Sequence, residues 1–447
     1  MNLLYVIFIL VYLSGLIVVG TVLSRRVKTG ADFMVAGRRL TLPVLVGTLV
    51  ATWIGSGTII ASAGLSYRVG LSALWGPSGA WLGILLLFFI AARARRFGAF
   101  TVPDLLEGRY NPTARVLGTL VTLVAYTVIT SYQFRAGGMV LSLVTGMDPR
   151  AGVALTAVFV IAYTALAGML SVAYTDFVNG VILSLGILVA LPVVFMGAGG
   201  ASGIAGSLDQ GFFSSSHGET AGVGAMNLFL PTLLLLLGES NMYGRFFSAR
   251  SAGVARRAVV YWILGVVIIE TCVVFIGTAG HALYPDMASL YPLLENPSEV
   301  IIPHLIMHSL PPVIGALLLA AVAAIIVSTA DSFLLTPATN LHHDVWERFV
   351  RGRLRKQSGF LSRLLPEQPS GRERVWFLRI AVILLGIWAF LQVTRFENVL
   401  QAALYAYTMY GASITPAILA AFFWKRATAA GGACSVGAGM VATLIWE

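Results

Sequence analysis

Apolar and polar positions along this chain separate into long blocks. About twelve of the apolar blocks approach or exceed the roughly 20 residues a helix needs to cross a bilayer. They run Leu3–Ser24, Leu42–Gly64, Ala73–Ala92, Arg115–Leu143, Val153–Leu170, Val172–Met196, Met226–Phe247, Ala258–Leu283, Pro312–Leu341, Val375–Gln392, Leu400–Trp424 and Gly432–Trp446. Two of them are interrupted in the same way, about five spans apart: Ala51-Thr-Trp-Ile-Gly-Ser-Gly-Thr58 and Gly238-Glu-Ser-Asn-Met-Tyr-Gly-Arg245. Glycine frees backbone carbonyls and small hydroxyls add ligands, so a helix broken there can hold an ion and a solute at mid-membrane. Irregular backbone survives at that depth only where it lines a cavity or is buried in protein. Paired interruptions in corresponding places of two halves point to the binding site of a secondary transporter.

Composition agrees with the pattern: 58% of the 447 residues are hydrophobic, 11% are charged and the mean hydropathy is +0.87, a balance no soluble domain needs. The first span does not read as a cleaved signal peptide. It is long, lacks a basic leading segment and is followed by Arg25-Arg26 rather than a small-residue cleavage site. The net charge of +10 would suit a nucleic-acid partner, but its distribution argues against one. Basic residues gather in alternate loops, at Arg25, Arg26, Lys28, Arg38 and Arg39, at Arg93 to Arg109, at Arg250 to Arg257, at Arg348 to Arg374, and at Lys425 and Arg426. Loops 197–225 and 284–308 carry no Lys or Arg. That alternation predicts basic loops in the cytoplasm, the amino terminus outside and a plasma (inner) membrane protein. Cys272 and Cys434 both lie in apolar segments, which supports neither a disulfide framework nor a metal cluster.

With the first span peripheral, spans two to six and seven to eleven form two sets of five. Five is odd, so the sets cross in opposite senses, as an inverted repeat requires. The expected organisation is 1–41 as a peripheral span and basic inside loop, 42–198 as the first five-helix repeat and 199–225 as an outside loop. Residues 226–424 form the second repeat and 425–447 a peripheral last span. The outside loop reads as irregular with room for a short helix. Residues 342–374 read as a basic linker with a short interfacial helix around Phe360–Leu365. The apolar run that stops at Glu447 suggests a chain cut short or lacking a final span.

A third segment, Ala321-Val-Ala-Ala-Ile-Ile-Val-Ser-Thr-Ala-Asp-Ser332, places Ser328, Asp331 and Ser332 on one helical face, bordered by Thr329. A carboxylate at the membrane centre costs roughly 2.5–3.5 kcal/mol on insertion scales and so usually meets a partner or a pathway. Clustered hydroxyl and carboxylate oxygens suit a hard cation. The competing reading is back-bonding of the hydroxyls to helix carbonyls.

Ser328-Thr-Ala-Asp-Ser332 followed by Asn340-Leu-His-His-Asp344 resembles the eighth core helix of the sodium:solute symporter family, whose members carry proline, sugars, sialic acid or pantothenate. Ala51–Gly64 resembles its first core helix and Ala173-Tyr-Thr-Asp-Phe-Val-Asn179 its Tyr-Thr-Asp-x-x-Gln element. Met242–Arg250 resembles the element after its broken sixth core helix, and Trp424–Gly431 the loop after its tenth. The resemblance runs from about Gly37 to Gly431. It implies an all-α integral membrane protein with the inverted five-helix repeat of the leucine-transporter type and about twelve spans. Sodium would be the coupling ion, with no organic cofactor. Its main site would use the carbonyls of Ala51, Ile54 and Ile325 and the hydroxyls of Ser328 and Thr329. Asp176, Asp331 and Ser332 stand where a second cation or a proton would bind. The chain departs from the family at Asp331, usually a hydroxyl, and at Asn179, usually Gln. Two facing acids can hold a second sodium, share a proton or pair with an arginine, and Asp176 can instead be a helix N-cap.

For the solute, Ser56, Gly57 and Thr58 are candidates on the first broken helix, and Glu239, Ser240 and Asn241 on the second. Arg135, inside the fourth span, can bind a carboxylate bidentately, pair with Glu239, or snorkel to the surface. Tyr405, Tyr407 and Tyr410 are gate candidates, with an interfacial aromatic belt accounting for at least one of them. His342-His343 with Asp344 reads as a solvated helix end rather than a metal site. No phosphate loop or nucleophile–base pair supports an enzyme. The expectation is a carrier in the lipid bilayer, coupling inward sodium flow to uptake of a small polar solute (organic anion, amino acid or sugar) by alternating access, with no nucleic-acid partner. The rivals are a proton-coupled carrier on the same fold and the membrane sensor module of a signalling protein.

Overall fold

The computed structural model describes residues 3–24, 34–166, 169–351 and 371–446. The basic residues Arg25, Arg26 and Lys28, the interfacial helix expected near Phe360–Leu365 and the end at Glu447 lie outside them. Among the described residues the chain is helical, and ten helices are long and apolar enough to cross a membrane. Leu3–Val19 and Leu42–Trp53 are shorter apolar helices.

The first helices are α1 (Leu3–Ser24), α2 (Leu42–Trp53), α3 (Ala63–Val69) and α4 (Trp75–Leu87). Pro at the first turn of α2 fits the helix start, where an amide would go unpaired anyway. Helix α5 (Pro112–Thr145) is capped by the Asn111 side chain, which accepts from Ala114 N. Then come α6 (Pro149–Leu166), α7 (Met169–Gly197), α8 (Val223–Gly238), α9 (Ser240–Ser248) and α10 (Ala252–Leu283). The last helices are α11 (Pro312–Asn340), α12 (Gly371–Gln392), α13 (Val399–Phe423) and α14 (Ala429–Trp446).

Helices α2 and α3 are two halves of one span, as are α8 and α9. The first break is wide: Ile54 leaves helical geometry (ψ 80°), and a π-helical turn over Gly57–Ser62 leads into α3. The second break is the single extended residue Glu239, narrower than the interruption expected over Gly238–Arg245. Helix α13 crowds that point, where a Cβ on Gly238 would lie 2.4 Å from Thr415 Oγ1. At the end carrying the basic loops, Leu40 and Ala249 form an isolated β-bridge that ties the start of α2 to the end of α9. Helix α11 is the most enclosed, with 83% of its apolar window buried. It packs on α5, α7 and α1. Helix α8 packs on α4 and α13, and α7 on α2.

Two segments differ from their sequence reading. Loop 197–225 contains the helix Gly200–Ser207 and two 3-10 turns rather than mostly irregular chain. The helix of α11 does not end near Leu341 but continues through the π-wound stretch Leu341–Arg351. His342 and Asp344 are therefore not at a solvated end but 3% and 0% exposed. His342 packs on Phe377, and Asp344 accepts from Arg115 and Thr101. Arg115 also pairs with Glu107, as does Arg348. Burial alone would raise the Glu107 carboxyl, but the two guanidiniums outweigh it and hold the group below its ordinary range.

Candidate functional site

The break in the first span strips two carbonyls of their helical donors. Gly55 N, which would satisfy Ala51 O, bonds Trp53 O instead at 3.0 Å. Thr58 N, which would satisfy Ile54 O, bonds Gly55 O at 3.1 Å. Helix α11 faces the break with Thr329, whose Oγ1 is buried and without a partner among the described residues. Its approach is close enough that a Cβ on Gly55 would lie 2.9 Å from that oxygen. Ile325 is fully buried one turn away on the same helix. Thr329 thus meets the break at Gly55, Ala51, Ile54 and Ile325 are all buried, and Ser56 Oγ is a further buried oxygen without a partner among the described residues.

Ser328 turns its hydroxyl away, donating to Asp176 on α7. Asp176 is completely buried and also accepts from Thr48 Oγ1 (2.8 Å) and Thr52 Oγ1 (3.3 Å). Its charge is balanced by Arg245 of α9, whose Nη2 lies 3.0 Å from Asp176 Oδ2 and 3.1 Å from Ser332 Oγ. Arg245 also donates to Thr48 Oγ1 and to Asn241 O. Of the three roles open to the two acids, the arginine pair is what Asp176 shows. It is not the N-cap of a short turn, because α7 runs continuously from Met169 to Gly197. Asp331 is different: it is 1% exposed, and neither carboxylate oxygen has a hydrogen-bond partner among the described residues. The hydroxyls of Thr164 and Tyr163 on α6 lie beside it, Thr164 within reach of the carboxylate.

On the far side of the first break, toward the loops without basic residues, lies a narrow cleft of about 40 Å³. Gly57, Thr58, Trp53, Glu270 and Tyr407 line it. Tyr407 Oη hangs over Gly57, 3.1 Å from where a Cβ would stand. A smaller cavity at the basic end is lined by Ser240, Gly244, Thr336 and Asn340. A buried polar layer lies between the two. Glu239 caps α9, accepting from Asn241 N (3.2 Å) and Met242 N (2.9 Å), and also accepts from Tyr126 Oη. Tyr410 stacks on Tyr126 with centroids 5.5 Å apart and shares a hydrogen bond with Ser240. Asn241 accepts from Thr336 at 2.5 Å.

The tyrosine candidates therefore separate. Tyr407 lines the cleft and Tyr410 belongs to the polar layer beneath it, whereas Tyr405 packs on Phe396 near the start of α13. Arg135 does not pair with Glu239. It reaches the end opposite the basic loops and donates to Phe396 O and Glu397 O, both at 2.6 Å, and to Glu295.

Sequence reasoning missed Glu270 on α10, although it is the lone acid in the run Ala258–Leu283 and the rule for intramembrane charges would have found it. It also missed Arg245 as the partner of Asp176, and Tyr126 and Trp81. Those roles depend on approaches between helices that no local pattern encodes.

The family model described as the sodium:solute symporter family matches residues 33–439 of the chain. The chain is 27% identical to the high-affinity proline transporter PutP of Bacillus subtilis, over 96% of its own length and 89% of the relative's. It is likewise 27% identical to a sodium/proline symporter of Staphylococcus aureus, covering 98% of this chain and 85% of that one. Among solved structures, it superposes on a sodium-coupled sialic acid symporter, substrate-bound and outward-open, with a TM-score of 0.76. That match has 19% identity and covers 99% of this chain and 98% of the other. A nucleobase-cation symporter, Mhp1, matches with a TM-score of 0.60 and 13% identity over 94% of each chain.

Proposed function

Because the chain belongs to the sodium:solute symporter family and is therefore a sodium-coupled secondary transporter, we propose that its coupling ion binds where α11 meets the first break. Its ligands there are the carbonyls of Ala51, Ile54 and Ile325 with the hydroxyls of Thr329 and Ser328. The observation that carries this reading is the pair of diverted amides at Gly55 and Thr58, which free two carbonyls at a break that Thr329, its hydroxyl without a partner among the described residues, closely approaches. Hard oxygen donors of this kind suit a small monovalent cation. Ser328 completes the set by releasing its bond to Asp176.

Sodium so placed bridges α2 and α11, and a ligand shifts a two-state equilibrium only through its differential affinity. The bridge exists in one arrangement of the two helices, which gives sodium that preference. A small polar solute occupies the cleft beside Gly57 and Thr58, and the Tyr126–Glu239–Ser240–Tyr410 layer separates it from the cavity at the basic end. The curated relatives named above carry proline, which makes an amino acid the first solute to test. The basic loops face the cytoplasm and transport runs inward. Arg245 fills the position of a second cation between Asp176 and Ser332, so one sodium accompanies each solute.

The test is sodium-dependent thermal stabilisation and uptake. A ligand that binds only the folded state adds about 2.7 kcal/mol at a hundredfold excess over Kd. The wild type should show a saturable, sodium-specific rise with a Hill coefficient near one. Ser328→Ala combined with Thr329→Ala should abolish that rise and sodium-driven uptake while leaving the fold intact. Normal sodium activation in the double variant would remove the assignment, and a Hill coefficient near two would remove the role given to Arg245. One observation favours a second reading, proton coupling: the unpaired Asp331. Uptake driven by a pH gradient in sodium-free buffer, and lost in Asp331→Asn, would establish it.

A further inference from the structure

The cleft beside the first break holds an acid whose charge nothing in its surroundings balances. Glu270, midway along α10, is 3% exposed and lines that cleft. Its Oε1 accepts from Trp53 Nε1 at 2.9 Å and from Thr58 Oγ1 at 3.5 Å, and its Oε2 accepts from Trp81 Nε1 at 2.7 Å. Three donors converge on the two oxygens and no acceptor stands opposite, an arrangement that stabilises a carboxylate. All three donors are neutral, and Glu270 is the one charged residue among the described residues that line the cleft. By contrast Asp176 has its arginine, and Glu239 is spent on the N-cap of α9.

The neighbours of Glu270 are aromatic. The Trp53 and Tyr407 rings lie 6.3 Å apart, inclined by 30°, and both line the cleft. Rings of this kind attract a positive group through their negative faces, and aromatic walls with a carboxylate are the chemistry that recognises ammonium centres. An ionised carboxylate at this depth is costly unless it is paired, and a cationic solute supplies the pairing at the moment it binds. The two indole N–H bonds fix the orientation of the carboxylate before the solute arrives, which spares the ordering cost on binding.

From this geometry we propose that the transported solute carries an ammonium group, seated against the Trp53 and Tyr407 rings with Glu270 as its counter-ion. The inference rests on the cleft being the solute site. It narrows the solute to amines, quaternary ammonium compounds or amino acids, and excludes neutral sugars and simple organic anions.

The experiment is thermal unfolding of the full chain, purified in detergent at saturating sodium. The probes are choline, glycine betaine, L-proline and putrescine, set against two nitrogen-free counterparts, 3,3-dimethyl-1-butanol for choline and cyclopentanecarboxylate for proline. At least one ammonium probe should stabilise the protein, and its counterpart should bind at least a hundredfold more weakly. In Glu270→Gln that response should weaken at least a hundredfold while the stabilisation by sodium alone stays as in wild type. Should that variant fail to fold, the matched pairs on the wild type decide. Equal responses to a probe and its counterpart would overturn the proposal, as would no response to any of the four. Loss of the sodium response itself in Glu270→Gln would make the residue an ion ligand and overturn it as well. The sodium response of wild type against the Ser328/Thr329 double variant tests the coupling site separately, so the two readings fail independently.

Discussion

At the scale of single residues, the coupling site turns on how closely α11 approaches the first break. Gly55 is where a side chain would intrude: a Cβ there would lie 2.9 Å from Thr329 Oγ1, 3.0 Å from Thr329 Cγ2 and 3.3 Å from Gln133 Nε2. The threonine would have to move by several tenths of an ångström, because its branched side chain has few rotamers to escape into. Gly55→Ala should therefore weaken apparent sodium affinity at least tenfold without removing any ligand. Sodium titration of the thermal midpoint reads this directly, and an unchanged midpoint curve would show that Thr329 does not face the ion. The same closeness explains what the sequence made legible. Ser328, Thr329 and Asp331 announced themselves by oxygen content at helical spacing, and the glycines marked the break, while Ala51 and Ile54 within it came only from the family resemblance. The division of labour among the oxygens was not legible. That Ser328 bonds Asp176 while Thr329 stays free follows from side-chain directions across three helices.

At the scale of elements, the two broken spans solve the same problem differently. The first leaves its freed carbonyls without helical donors, and the proposed ion site uses them. The second covers its freed amides with its own side chain, because Glu239 is both the one non-helical residue and the N-cap of α9. A carboxylate at a helix N-terminus meets unpaired amides and the positive end of the helix dipole. Replacing a capping residue by alanine costs about 0.5–2 kcal/mol, and here Tyr126 also loses its acceptor. Glu239→Ala should lower the thermal midpoint by an amount matching about 2 kcal/mol or more, and Glu239→Gln by less, since the amide oxygen still accepts. Measured without solute, the shift separates a cap from a solute contact, and a midpoint equal to wild type would refute the cap. The sequence showed where both spans break, because Gly238 and the Gly-Ser-Gly of the first break are local signals. It did not show what fills each break. Arg245 stood in a recognised motif without a partner, and its engagement with Asp176, Thr48 and Ser332 needs α2, α7, α9 and α11 to converge. His342 and Asp344 misled for the same reason: burial by α5 and α12 is invisible in a run that reads His-His-Asp.

At the scale of the whole molecule, the end opposite the basic loops is closed by a cap that joins elements from both halves of the chain. Arg135 of α5 holds Phe396 O, Glu397 O and Glu295, while Glu299 lies against Gly64 of α3 and accepts from Val399 N at the start of α13 at 2.9 Å. Movement of α3 relative to α13 must therefore disturb Glu299, which makes this carboxyl a reporter of the cap. Burial pushes it up to about 7, against the pull of the Val399 amide and the more distant Arg135 and Arg68 guanidiniums. Its second oxygen has no partner among the described residues. A carboxyl raised in the folded state binds its proton more tightly there than in the unfolded chain. Its contribution to stability is then fully present below about pH 4.5 and is lost as pH rises through about 7. The difference between about 7 and 4.5 corresponds to at most about 3 kcal/mol. His304, which burial lowers to about 4 with His308 beside it, works in the opposite sense, since its contribution is present above about 6.5 and lost as pH falls through about 4. Glu299→Gln isolates the carboxyl, because the histidine term is common to both proteins. The midpoint of the wild type relative to Glu299→Gln should fall steadily between about pH 4.5 and pH 7 and level off above it. A difference independent of pH would show that Glu299 is already ionised in the closed cap and would remove its use as a reporter.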